Sequence, residues 1–339
     1  WFFQPQSDQY FLFAQIWAIF GVTFCMISSN IEMAALRGLI ADCIPPEAQN
    51  KGTSYFGLML GGSYALCNTI MLIMYESNNN IDWVGLYPLV SVIGSLFICI
   101  TVIPTVFIIV EKPQRMKRKQ SNPFLHLWRE FRIMDQIFLR AMTPLFLSWV
   151  SLAPMMMFMG VMFDKETTFI AQIASMTVSM LVSLAMGSLM NKFGEKLSFL
   201  ICSSVYTIGI LLLIIGAYNP NTWVSAQWCN CLALGLVGFM QSAINTIPFM
   251  YIGKLTPSQS KGLYFGVFNC VIVIGQALAN ILLAIINAIN QDTKNTMWVA
   301  MIFSALTIAS TFILRNPVIV KKKDEVEVGV SIGTEYEGE

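Results

Sequence analysis

Three ionisable side chains, Glu32, Arg37 and Asp42, lie within or just beyond a stretch that is otherwise apolar. An ionisable group in such a place is costly, so its chemistry is the first thing to account for. Arginine presents five N–H donors in a planar fork, which suits a carboxylate or neighbouring hydroxyls. Arg37 follows Asn30 by seven positions and Ala34 by three, so on a helix the three share one face. A face that is both small and polar points toward a cavity or a neighbouring helix. Glu32 sits five residues before Arg37, about 140° around a helix, so the two do not pair directly. A carboxyl there could exchange a proton if desolvation raised its pKa toward neutrality, which makes Glu32 and Asp42 the candidates for proton coupling. The competing reading makes Arg37 a boundary residue that sets membrane orientation.

A second set of polar groups comprises the amides Gln241, Asn245, Asn269, Gln276 and Asn280, all embedded in apolar sequence. Sugars are bound by such paired donors and acceptors beside aromatic faces. Asn269 and Gln276 are seven apart and share a face, while Pro248 opens a kink in the preceding helix. Bonds between helices, worth roughly 0.6–2 kcal/mol each, are the structural alternative. Gly57, Gly61 and Gly62 permit close helix approach and are read as packing. Seven of the eight cysteines lie in apolar blocks, where a thiol behaves as a small hydrophobe. Cys229 and Cys231 point about 200° apart on a helix, so no metal is assigned. His126 is the only histidine, and no nucleophile and base are paired, so an enzyme is not expected and no cofactor is called for.

The elements that carry these residues follow from composition. Hydrophobic residues make up 56% of 339 positions and charged ones 12%, which excludes an ordinary soluble globule. The apolar blocks reach about 20 residues, the length that crosses a bilayer. The fold class is therefore all-α and polytopic, with nine spans near 11–35, 54–75, 84–110, 141–163, 168–190, 197–217, 223–250, 262–289 and 297–315. Eighteen of the 20 Lys and Arg residues fall on one side of this plan, the exceptions being Lys165 and Lys294. That side is expected to be cytoplasmic, with the N-terminus outside and the C-terminus inside. A net charge of +1 gives no reason to expect nucleic acid. The longest connection divides the chain into a three-helix group (1–110), a basic linker (111–140), a six-helix bundle (141–316) and an acid-rich tail (317–339). Within the linker, Asn122-Pro123 caps an amphipathic helix that is expected to lie along the cytoplasmic leaflet.

The motifs then carry a resemblance. Ser29-Asn30-Ile31-Glu32-Met33-Ala34-Ala35-Leu36-Arg37-Gly38-Leu39-Ile40-Ala41-Asp42 resembles the fourth helix and following loop of sucrose and maltose transporters of the glycoside–cation symporter type, within the major facilitator superfamily. Asn245-Thr246-Ile247-Pro248-Phe249 and the run from Lys261 through Asn269 to Gly275-Gln276 are similar to helices ten and eleven of those transporters. Gly187-Ser188-Leu189-Met190-Asn191-Lys192-Phe193-Gly194-Glu195-Lys196 resembles the superfamily loop G-x-x-x-D-R-x-G-R-K between helices eight and nine.

The resemblance implies that the nine spans correspond to helices 4–12 of a twelve-helix fold. The first three would then be absent, because this sequence is a fragment, a truncated product or a partner-dependent form. It also implies secondary transport of a disaccharide such as sucrose or maltose by alternating access, with a proton as coupling ion. Arg37, Asn30, Asn245, Asn269 and Gln276 would bind the sugar. Gly187, Asn191, Lys192, Gly194 and Lys196 would form a conformational loop that engages helix ends and carboxylates. Three departures stand out: Met26 occupies the position of an acid in the plant symporters, Gly275 replaces a proline, and Asn191 replaces the aspartate of the loop. Transport of another small solute, and a non-transporting membrane sensor, are the alternative readings.

Overall fold

A computed structural model describes residues 49–77, 83–108, 136–162, 165–219, 227–255, 261–289 and 294–314, with Arg132 and isolated positions between 16 and 48, Arg37 among them. Every regular element among the described residues is an α-helix: α1 (Gln49–Ser77), α2 (Trp83–Ile108), α3 (Gln136–Met162), α4 (Lys165–Tyr218), α5 (Gln227–Leu255), α6 (Lys261–Ile289) and α7 (Asn295–Thr311). Helices are the required solution for such apolar runs, because hydrocarbon offers no partner for an unbonded peptide group.

The second to ninth expected spans fall on these helices, two of them on α4. The first span, the linker stretch through residue 131 with its amphipathic helix and His126, and the tail lie almost wholly outside the described residues. Helix α3 starts at Gln136, several residues inside the segment assigned to the linker. By length and composition, four helices among the described residues suffice to cross a membrane: Gln49–Ser77, Glu166–Tyr218, Trp228–Lys254 and Gly262–Ile286. The second of these runs for 53 residues, more than twice the roughly 20 that one crossing needs.

Two crossings fall within that stretch because it is two helices that meet at a kink in the expected loop at 191–196, where Gly194 has non-helical torsions. Gly194 has φ 78° and ψ 167°, a combination open to glycine alone. The Ser198 hydroxyl donates to the Gly194 carbonyl at 2.7 Å, which satisfies an acceptor at the break.

One end of the bundle carries Lys51, Lys192, Lys196 and Lys254 and is called the basic end below. At the other end Trp298 of α7 donates its indole N–H to the Tyr218 hydroxyl at 3.2 Å, and Tyr75 of α1 packs near Phe169 of α4. The core lies among α3 to α7 and includes Phe138, Leu145, Leu152, Met155, Tyr206 and Phe268, all fully buried. Within it the Ser151 hydroxyl donates to the Ala300 carbonyl at 2.6 Å and lies 2.9 Å from the Tyr206 hydroxyl. Helix α2 contributes little, and Ile100 and Phe107 on it are exposed as expected for a lipid-facing helix.

Close approaches tie α1 to α4 and α5. A Cβ placed on Gly57 would lie 2.7 Å from both the Ser183 hydroxyl and the Thr246 methyl, and one on Gly61 would lie 2.9 Å from the Met180 amide nitrogen. Gly238 allows a similar contact between α5 and α4, where a Cβ would collide with the Ser175 carbonyl. The helices meet closely at these points, backbone against backbone at Gly61 and Gly238, and dispersion plus short polar contacts such as Ser183–Ser242 (2.8 Å) hold them together.

Candidate solute-binding site

Of the candidate side chains, Arg37 and Asn269 of α6 come together beside Phe249 of α5, which packs on Phe56 of α1. Arg37 is 7% exposed, and its Nη1 donates to the Asn269 side-chain oxygen at 3.0 Å. The two residues stand 232 positions apart, so this bond joins distant parts of the chain. Phe249 of α5 covers one face of the guanidinium with its ring centre 4.4 Å from the central carbon, and Phe268 of α6 lies at 5.5 Å. The two rings meet edge to face at 4.7 Å, and Phe249 also packs against Phe56 of α1 and Phe265 of α6. The Nε of Arg37 is buried without a hydrogen-bond partner.

A buried cation needs its charge offset. Among the described residues Arg37 makes no ion pair, and the offset comes instead from one amide and two aromatic faces. Each desolvated cation–π contact contributes up to about 2 kcal/mol. Nε, buried and unpartnered, lies on the edge of the fork that accepts a carboxylate or two neighbouring hydroxyls side-on.

The other candidates are placed differently. Asn245 is buried on α5, and its Nδ2 donates to the Gln241 carbonyl one turn back at 2.9 Å, so half of its amide serves its own helix. The Gln241 Oε1 is buried and unpartnered. Gln276 is half-buried one residue past Gly275, whose missing side chain lets α6 approach Phe146 and Trp149 of α3. The buried Trp149 Nε1 is likewise unpartnered. Asn30, Glu32 and Asp42 lie outside the described residues.

The loop residues occupy the basic end. Asn191 accepts from the Asn50 amide of α1 at 2.6 Å, and a Cβ on Gly187 would press on Ser54 and on the Asn50 carbonyl. Lys196 donates to the Phe312 carbonyl at 2.8 Å just past the end of α7, a favourable place for a cation. Lys192 extends over the Phe193 ring. Beside them stands a pair that the sequence reading passed over: Lys254 of α5 donates to Glu195 at 2.8 Å, with both side chains more than nine-tenths buried. Two opposite charges at the ends of long apolar runs were the available signal. For Phe249 and Phe268 the signal was adjacency, since each follows or precedes a residue already singled out, Pro248 and Asn269.

Comparison with known proteins gives three findings. The profile of the Major Facilitator Superfamily matches residues 9–225 and 166–334, which together cover most of the chain. "Probable inositol transporter 3" of Arabidopsis thaliana is 30% identical over 118 residues, 34% of this chain. That match spans only 19% of the relative's length. A crystal structure of a bacterial homologue of the iron transporter ferroportin, in an outward-facing state, superposes with a TM-score of 0.53 at 14% identity, covering 84% of this chain and 68% of its own. At that identity the likeness is one of fold.

Proposed function

The chain belongs to the Major Facilitator Superfamily, and from that premise we propose that it carries a hydroxyl-rich solute, such as the disaccharides sucrose or maltose, across a membrane by alternating access. It acts as a carrier and not as an enzyme, with residues 1–339 taken as the last nine of twelve helices. One observation carries the reading: Arg37 and Asn269, from the two groups of helices, are bonded to each other while the Nε edge of Arg37 stays unpartnered. A site at the junction of two groups can hold a solute only when both are in place and can release it when they part. Arg37 and Asn269 bind ring hydroxyls directly, and Gln276 and Asn245 complete the wall from α6 and α5. Separation of α1 from α4 and α5 opens the basic end, where the Asn50–Asn191 bond and the loop at Gly194 close it. Coupling to protons runs through Glu32 or Asp42, the carboxylates nearest Arg37 in sequence. The likeness to an inositol transporter favours a second solute of the same chemistry, a cyclic polyol.

The experiment is uptake of labelled sucrose, maltose and myo-inositol into proteoliposomes bearing the complete protein, with and without an imposed proton gradient. Saturable uptake of at least one, accelerated by an acidic exterior, is the expected result. Uptake of none removes the hydroxyl-rich solute, and uptake indifferent to the gradient removes the proton.

A further inference from the structure

We infer that Phe249 and Phe268 are positioning residues: they fix the plane of the Arg37 guanidinium so that its Nε edge stays free and correctly aimed for solute oxygens. The inference rests on the reading of Arg37 as a solute-binding residue and assigns the geometry that makes it selective. Arg37 has a long flexible stem, and a guanidinium held by one hydrogen bond can still swing about that bond. Asn269 restrains the Nη1 edge, whereas Phe249 at 4.4 Å and Phe268 at 5.5 Å restrain the face. Edge and face together leave one orientation. The three restraining groups are themselves rigid, because Phe268 and Asn269 are neighbours on α6, Phe268 is fully buried, and Phe249 is wedged among Phe56, Phe265 and Phe268.

Among the described residues aromatic rings and no acid face Arg37, and this has a chemical consequence. A carboxylate would offset the buried charge by taking the fork's edge, the surface that a hydroxyl pair needs. Phenyl faces offset it from above and leave that edge vacant. The unpartnered, buried Nε is the direct trace of this arrangement. A ring that merely filled space could be replaced by any side chain of similar volume; a ring that positions must present a π face.

The test compares wild type, Phe249→Leu, Phe268→Leu and Phe249→Trp in the complete protein, by two readouts. The first is the concentration dependence of labelled sucrose and myo-inositol uptake. Leucine at either position is expected to raise KM about tenfold with the maximal rate kept within about twofold, and Phe249→Trp, which retains a π face, to stay near wild type. The second is modification of Arg37 by phenylglyoxal, followed by mass spectrometry, which needs no solute. Leucine is expected to speed it about tenfold and tryptophan to leave it unchanged, a difference of about 1.4 kcal/mol. KM and labelling equal to wild type in both leucine variants would show that the rings only fill space. A lower maximal rate at unchanged KM would make them part of a gate and overturn positioning. If wild type imports neither probe, the hydroxyl-rich solute is excluded, yet the phenylglyoxal comparison still decides the role of the rings. Should Phe249→Leu fail to accumulate, Phe268→Leu carries the same test.

Discussion

At the scale of single residues, charge and geometry make separable demands on Arg37. Lysine keeps the positive charge and the orientation signal but replaces a planar fork with a point charge on a flexible stem. Arg37→Lys is therefore expected to lower solute uptake about tenfold, equivalent to about 1.4 kcal/mol, while surface expression stays near wild type. Uptake normalised to surface protein measures this, and wild-type uptake by the lysine variant would return Arg37 to a boundary role. The Glu195–Lys254 pair makes the opposite kind of prediction, because its worth is in the fold. Lys254→Met leaves Glu195 buried and unpaired and is expected to cost about 3 kcal/mol of stability, seen as a lowered melting temperature in detergent. The double variant Glu195→Leu/Lys254→Met is expected to recover most of the loss, since neither charge is then stranded. A single variant as stable as wild type would show that the pair is solvated in the membrane.

At the scale of elements, the break in α4 is set by Gly194 alone. An alanine there would have to hold φ near 78° with an extended ψ, at a cost of about 1–3 kcal/mol. Gly194→Ala is expected to melt correspondingly lower, and an unchanged melting point would show that the turn tolerates another conformation. The spans of α1 to α7 were legible in the sequence because a bilayer enforces length and apolarity together, and the break was legible through the spacing from Gly187 to Lys196. Less visible was how short the loop would be, since a kink at Gly194 joins the two helices. Arg37 and Asn269 were both singled out by residue type, but nothing in either helix states the register that brings them to 3.0 Å. The aromatic clamp was hidden for a related reason. In a membrane helix a phenylalanine that faces lipid, such as Phe107, and one that packs on a cation, such as Phe249, share the same apolar surroundings in sequence. Only their tertiary neighbours separate them.

At the scale of the whole molecule, the clustering of basic residues assigns sides to the membrane. The 111–140 segment and the C-terminus are expected on the cytoplasmic face, with Asn79 outside. A membrane-impermeant thiol reagent applied from outside should label a cysteine introduced at Asn79 and spare one introduced at Lys117; the reverse pattern would invert the topology. The line where α1 lies on α4 and α5 has a further consequence. Because Gly61 brings the backbone of α1 against that of α4, that contact works like a keyhole with a fixed clearance. A single methyl, as in Gly61→Ala, cannot be absorbed by a side chain swinging aside, since the opposing atoms at Met180 belong to the main chain. Under the proposed alternating access its cost falls on this packed arrangement and not on one in which α1 has parted, so about 1–2 kcal/mol of strain becomes a 5–30-fold change in the ratio of the two. Spin labels across the line should then report a longer mean distance in the alanine variant, which makes the smallest side-chain addition in the protein a tool for holding its doorway ajar.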